Sequence, residues 1–352
     1  GFGDHKSTRE VIEFDGSSLW THPQQRRLIP GARRMSEVPI PKEKWTGKIG
    51  IAVLGSSFED GGTRKSRLLI GGQTGMPFLS YEGATPNRPL FAGEVLDTIK
   101  DYPELAKKPF GDALEDPARW ARVWVEQFGA DVVCLKLLST NPEEENKSSE
   151  EAAATVRRVL ETVSVPIIVY GCGNVEKDAR TMEAVSNVGA GERLILAQAE
   201  ENAYESISKA AIANDHLVVA FSNLDINLAK QMNILLTDFG VKKENILMDP
   251  LQASLETGLE YSYSVNERIR LAALTGDSML QIPMICDITA AWKSREATEE
   301  NEKYGITEKR ATWWEAATGL AALLSGASML IVRSPETVRI LNRALDDLME
   351  EG

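Results

Sequence analysis

Carboxamides and carboxylates gather at the ends of this chain's β-like runs, and they are the residues with chemistry to offer. Glu94 and Asp97 follow one run, Lys136, Thr140 and Asn141 the next, and Asn174, Gln198 and Asn202 the two after those. Asn223, Asp225 and Asn227 come next, then Asp249 and Gln252, Asp287 and Thr289, and Arg333. Such groups donate and accept hydrogen bonds in fixed directions, which suits gripping the edge of a large, polar, heterocyclic ligand. Histidine adds little: His5, His22 and His216 are the whole supply, and His216 precedes its run. That argues against imidazole acid–base or metal chemistry. Taken singly, these residues have plainer readings. Asn174 and Asp225 stand where helix N-caps belong, and Asp249 is a turn residue before Pro250. Convergence at one rim is what makes the set functional.

A rim requires elements that bring those ends together. From about residue 89, short apolar runs alternate with stretches of 3.6-residue apolar spacing, the pattern of a parallel sheet with crossover helices. The runs are Phe91–Leu96, Val132–Leu137, Pro166–Tyr170, Leu194–Ala199, Leu217–Phe221, Ile246–Met248, Met284–Ile288 and Met329–Val332. Eight is the number that closes a (β/α)8, or TIM, barrel, and there the residues after each strand share one mouth. Asp116-Pro117 and Ser334-Pro335 supply an N-cap and a first helical position. Ala152, Val156, Val159 and Val163, and likewise Leu228, Met232, Leu235 and Phe239, form helix faces that pack on a barrel.

An open doubly wound sheet shares this alternation, but its dinucleotide signature is weak here. Gly171-Cys172-Gly173 follows a strand, yet Glu176 replaces the third glycine of GxGxxG, and no phosphate loop with Lys-Ser/Thr occurs.

Residues 1–83 differ from the rest. Ile49–Leu54 and Leu68–Ile70 read as a hairpin that plugs or flanks the barrel, giving an N-terminal extension (1–83) and a (β/α)8 barrel (84–352). At 352 residues and 43% hydrophobic, the chain can bury a core of that size. A net charge of −13 argues against nucleic-acid binding. No secretory leader or run of about 18 apolar residues is visible, which places the protein in the cytoplasm and off the membrane. Cys134, Cys172 and Cys286 are too scattered for a disulfide framework or a cluster site. The charged stretch from Thr289 to about Arg310 carries Trp292, Lys293, Arg295 and Tyr304. Its length suits a lid whose Trp292 covers a flat macrocycle or docks a partner, or else a solvated linker with one packed Trp.

Several segments resemble a known family in order. They are Phe221-Ser-Asn-Leu-Asp-Ile-Asn-Leu-Ala-Lys230, Ile246-Leu-Met-Asp-Pro250, Gly258-Leu-Glu-Tyr-Ser262, Arg268–Leu274, and Met284-Ile-Cys-Asp-Ile-Thr-Ala-Ala-Trp-Lys-Ser-Arg-Glu-Ala297. From about Pro89 to Leu348 the chain resembles the small, or delta, subunit of the corrinoid iron–sulfur protein in the carbon monoxide dehydrogenase/acetyl-CoA synthase system.

The resemblance implies a TIM barrel that covers a cobamide held by a large subunit, which also carries the [4Fe-4S] cluster. It implies further partners: a methyl-pterin methyltransferase that supplies the methyl group, and the carbon monoxide dehydrogenase/acetyl-CoA synthase that receives it in the reductive acetyl-CoA (Wood–Ljungdahl) pathway. Carried over by position, the cofactor-facing residues are Asn223, Asp225, Asp249, Asp287, Thr289 and Trp292, to which the rim adds Asn174, Asn202 and Arg333.

This chain lacks the cysteines for a cluster and the DxHxxG pattern of many cobamide domains, so the resemblance implies a subunit without catalytic residues of its own. Residues 1 to about 46 precede the part that resembles the family and read as a lineage-specific docking arm. Two alternatives stand beside this reading. One is a stand-alone pterin-dependent methyltransferase, which Asp249-Pro250 and Asn223 also resemble, although no glycine follows the turn. The other is a scaffold barrel.

Overall fold

A computed structural model describes residues 41–100 and 102–350, so most of the expected docking arm lies outside the described residues. Two strands, β1 (Ile51–Leu54) and β2 (Leu68–Gly71), pair antiparallel, with Leu54 opposite Leu68. The expected hairpin is therefore present. Eight parallel strands follow: β3 (Leu90–Leu96), β4 (Val132–Lys136), β5 (Ile167–Tyr170), β6 (Ile195–Ala199), β7 (Leu217–Phe221), β8 (Ile246–Asp249), β9 (Met284–Asp287) and β10 (Ala327–Val332). They close in sequence order, with β10 hydrogen-bonded to β3. The fold is a TIM barrel, and closure excludes the open doubly wound sheet.

The helices are α1 (Glu104–Lys107), α2 (Pro117–Glu126), α3 (Ser149–Thr162), α4 (Val175–Val188), α5 (Tyr204–Ala213), α6 (Ile226–Phe239), α7 (Leu259–Leu274), α8 (Arg295–Thr298), α9 (Thr307–Ser325) and α10 (Pro335–Glu350). Their starts follow local chemistry. Asp116 accepts from Ala118 N at 3.3 Å with Pro117 in the first turn. Ser148 and Glu151 form a reciprocal capping box on α3, and α10 starts at Pro335.

Period-2 alternation sorts each strand into an outer face against the helices and an inner face in the barrel. Ala92, Val132, Ile168, Leu217, Leu247, Ile285 and Met329 form the inner apolar layer, and Ala52, Leu54 and Ile70 of the hairpin pack into the same cluster. The hairpin thus plugs the N-terminal end. Arg64, between its strands, pins it there: the buried guanidinium bonds Glu192 at 2.9 Å, Val163 O at 2.5 Å and Leu160 O at 2.8 Å.

One outer position has no spare room. A Cβ on Gly93 would lie 2.4 Å from the Trp124 ring, whose Nε1 donates to Glu94 O at 2.8 Å. Gly93→Ala is expected to lower unfolding free energy by about 1–3 kcal/mol, the usual range for overpacking. Urea titration checks this, and an unchanged midpoint would contradict the tight fit.

Candidate functional site

The inner face that is apolar at the bottom of the barrel becomes polar two residues further along six of the eight strands. Ala92 leads to Glu94, Cys134 to Lys136, Ile168 to Tyr170, Leu247 to Asp249, Ile285 to Asp287 and Ile331 to Arg333, so strand parity alone converges these side chains. Lys136 Nζ lies at the centre. It donates to Glu94 Oε1 and Asp287 Oδ2, each at 2.7 Å, and to Thr289 Oγ1 at 3.3 Å. Glu94 also accepts from Arg333 Nε at 2.6 Å and Nη2 at 3.1 Å. Asp287 Oδ1 in turn takes Thr289 N at 2.9 Å and Thr289 Oγ1 at 2.6 Å. Two acids and two bases thereby neutralise one another across β3, β4, β9 and the end of β10.

Burial works against charge on Glu94, but Arg333 and Lys136 overcome it and hold the carboxyl at about 2. The same pairs raise Lys136 and Arg333 against their own burial. Among the described residues Asp249 has no such cation in contact. Burial pushes it up to about 7, the charge of Asp287 adds to the push, and its bond from Leu251 N at 2.9 Å only partly offsets it. The buried Tyr170 hydroxyl lies close enough to help lower this carboxyl, although it makes no well-aligned hydrogen bond among the described residues. The network leaves no free base at its centre. It can present a neutral, hydrogen-bonding floor, with Asp249 able to give up or take a proton near neutral pH.

A cleft of about 300 Å³ opens beside this floor, lined by Lys136, Tyr170, Cys172, Asp178, Gln198 and Asp287 among others. Its glycine turn is already occupied from within: Asp178 accepts from Cys172 N at 2.9 Å and Gly173 N at 2.8 Å. Those amides are therefore not free to bind a phosphate. The Cys172 thiol is pushed up by partial burial, away from the thiolate form.

The sequence-selected residues divide into three groups. Asp249, Asp287, Thr289 and Arg333 belong to or adjoin the ion-pair network, together with Glu94 and Lys136. Asn174, Asn202, Asn223 and Asp225 are exposed on the loops after β5, β6 and β7. Two of these are also caps: Asn174 accepts from Lys177 N at 3.0 Å, and Asp225 from Asn227 N at 2.7 Å. Trp292 is placed differently from the open platform expected of it. It is 4% exposed and packed in the core beside Glu315, because the stretch after β9 folds into short helical turns and α8. Arg310 clasps that stretch through Glu296 O at 2.6 Å and Tyr304 O at 3.1 Å. The packed-Trp alternative describes it.

Sequence reasoning missed Tyr170, Tyr102 and Glu315. Tyr170 ends β5 on the inner face, so strand parity could have found it. The Arg333 guanidinium lies 5.1 Å from the centre of the Tyr102 ring. Glu315 sits inside α9, where no strand-end filter reaches; it accepts from Arg333 N at 2.7 Å, Ser334 N at 3.1 Å and Thr337 Oγ1 at 2.7 Å.

Residues 53–343 match the family model described as the CO dehydrogenase/acetyl-CoA synthase delta subunit. The chain belongs to this family. Subunit delta 1 of the acetyl-CoA decarbonylase/synthase complex from Methanosarcina thermophila is 34% identical over 334 residues, covering 93% of this chain and 76% of that one. The delta subunit from Methanothermobacter thermautotrophicus is 37% identical over 303 residues, covering 86% and 76%. These relatives are, by name, delta subunits of acetyl-CoA decarbonylase/synthase complexes.

The matched region begins ahead of Pro89, inside the hairpin. The 93% coverage leaves 7% of 352, about 25 residues, outside that alignment. The stretch to Thr46 is therefore not wholly peculiar to this lineage, which corrects that expectation. Among solved structures, a dihydropteroate synthase from Coxiella burnetii in complex with pteroic acid matches with TM-score 0.54 at 13% identity, over 79% of this chain and 99% of that one. One from Xanthomonas albilineans in complex with 7,8-dihydropteroate gives 0.53 at 16%, over 78% and 98%. These likenesses concern the fold alone. Among the described residues no helix is long and apolar enough to cross a membrane.

Proposed function

We propose that this delta-family barrel is the small subunit of a corrinoid iron–sulfur methyl carrier in the reductive acetyl-CoA pathway. Its mouth covers the cobamide held by a large subunit, which also holds the [4Fe-4S] cluster. The methyl group arrives from methyltetrahydrofolate through a methyltransferase and leaves to acetyl-CoA synthase. The observation that carries the reading is the make-up of the mouth. Its ionised groups are internally paired, and Asn174, Asn202 and Asn223 stand exposed around them.

This donor set fits a corrinoid as a cover. Exposed carboxamides complement the amide-fringed edge of the macrocycle, and an internally paired floor brings no net charge to its face. When bound, the corrinoid supplies the cobalt that accepts and releases the methyl group. The chain's own part is to bind the macrocycle's edge through Asn174, Asn202 and Asn223, to exclude water, and to hold Lys136 and Arg333 neutralised by Glu94 and Asp287.

The chain purified alone is expected to be colourless, without stoichiometric cobalt or iron. Co-expression with the large subunit is expected to yield a coloured complex containing both metals. A single chain that retains an iron–sulfur cluster would overturn the reading.

One observation favours a second reading, a barrel that binds a pterin itself: the Asp249 carboxyl held at about 7 beside the buried Tyr170 hydroxyl. Such a pair can donate to a ring nitrogen. Calorimetric titration of the isolated chain with methyltetrahydrofolate separates the two. Micromolar binding supports the enzyme, and no heat supports the cover.

A further inference from the structure

Two leucines at the mouth hold a backbone conformation that leucine avoids. Among the described residues eight non-glycine residues have positive φ, and four of them, Asn223, Leu224, Leu251 and Glu256, lie in the loops after β7 and β8. Leu224 stands at φ 63° and Leu251 at 72°. In this left-handed region a Cβ crowds the following carbonyl, a cost that glycine escapes and that asparagine bears more readily than leucine.

Hydrogen bonds hold both leucines in place. Phe221 of β7 pairs with Asp249 of β8, and the ladder runs on past the strand ends: Ser222 N donates to Asp249 O at 3.0 Å and Leu224 N to Pro250 O at 2.8 Å. Leu251 is pinned on both sides, its N donating to Asp249 Oδ1 at 2.9 Å and its O accepting from Ser262 Oγ at 3.0 Å. The fold gains little from the side chains themselves. Both are half-exposed; Leu224 rests partly on the core, and Leu251 packs with neither apolar cluster of the barrel. Glycine or asparagine could make the same backbone bonds with less crowding, but neither would put an apolar side chain at the rim. Strain kept where folding does not require it points to a position that a ligand uses. Leu138 is the counterpart across the mouth. It follows β4, four strands from β8 in the closed ring of eight, and lines the cleft on that side. Apolar residues thus stand on opposite sides of the polar floor, which suits a flat ligand as wide as the mouth.

We infer that Leu224 and Leu251 are held in strained conformations to meet the apolar ring face of the corrinoid on the β7–β8 side of the mouth. This rests on the reading of the barrel as a cobamide cover. Asn223, next to Leu224 in the same loop, serves the amide-bearing edge, and the leucines serve the face.

The test uses the full chain in complex with the large subunit, loaded with aquacobalamin, and the variant Leu251→Asn, alone and with Leu224→Asn. Asparagine accepts the left-handed backbone and removes the apolar contact. The isolated Leu251→Asn chain is expected to melt at or above the wild-type temperature. The half-time for corrinoid loss from its complex on dialysis should fall about tenfold or more, the scale of one buried leucine contact, and Leu224→Asn should shorten it further. Leu251→Met keeps an apolar side chain and should stay within about threefold of wild type. If the wild-type chain does not slow corrinoid loss relative to the large subunit alone, the cover reading and this inference fall together. If wild type slows the loss and Leu251→Asn slows it equally, whether or not the variant melts lower, the leucine contact alone is overturned. A methionine variant that releases corrinoid as fast as the asparagine variant overturns it as well.

Discussion

Glu94→Ala is expected to lower the free energy of unfolding at pH 7 by about 3–5 kcal/mol, the cost of leaving buried charges without their partner. Glu94 is fully buried and accepts from both Lys136 and Arg333, so its loss strands one cation partly and the other wholly. Lys136 retains Asp287 at 2.7 Å, whereas Arg333 has no other carboxylate in salt-bridge contact among the described residues.

The pH dependence has a defined sign. A carboxyl lowered from 4.5 to about 2 contributes stability that is present above 4.5 and lost as pH falls toward 2. That shift corresponds to about 3 kcal/mol, in line with the mutational figure. Wild type and variant should therefore converge in stability as pH drops through that window. Urea unfolding at pH 7 and pH 3 measures both effects. A loss below about 1 kcal/mol at pH 7 would mean that Arg333 finds water or another acceptor, and the neutral-floor description of the mouth would fail with it.

Legibility in the sequence followed physical locality. The eight strands and the capped helices were readable because alternation and N-cap chemistry are encoded within a few neighbouring residues; Asp116-Pro117, Asn174 and Asp225 all cap as their neighbours require. The mouth was half readable. Strand-end position found Glu94, Lys136, Asp249, Asp287 and Arg333, but the inward parity that separates them from the outer ring depends on register around a closed barrel.

Trp292 shows the limit most clearly. Its neighbours Lys293 and Arg295 suggested a solvated loop, while it is buried beside Glu315, 23 residues on, in a stretch held by Arg310, 18 residues on. Glu315 was invisible for the same reason, since its donors at Arg333, Ser334 and Thr337 are 18 to 22 residues away.

Asp249→Asn is expected to act in the opposite direction from Glu94→Ala and to stabilise the protein at neutral and higher pH. Burial raises this carboxyl from 3.8 to about 7, so the folded state holds a proton that the unfolded chain releases. Its contribution is present below 3.8 and lost as pH rises through 7, a penalty of about 4 kcal/mol at the upper end. Asn cannot ionise, yet its carbonyl can keep the Leu251 N–H bond. The variant should match wild type near pH 4 and gain over it steadily to pH 8, with most of the gain between those limits.

Glu315 provides the comparison, because it too is held at about 7 by burial but accepts three donors where Asp249 accepts one. Glu315→Gln must turn an amide toward at least one of those donors and should therefore destabilise below pH 7, with part of the loss recovered as pH rises through 7 and the wild-type carboxyl ionises. The two acids share a titration range but differ in what surrounds them. If Asp249→Asn gave no pH-dependent gain while Glu315→Gln lost stability, Asp249 would be ionised in the folded barrel, and the case for a proton held near Tyr170 would fall.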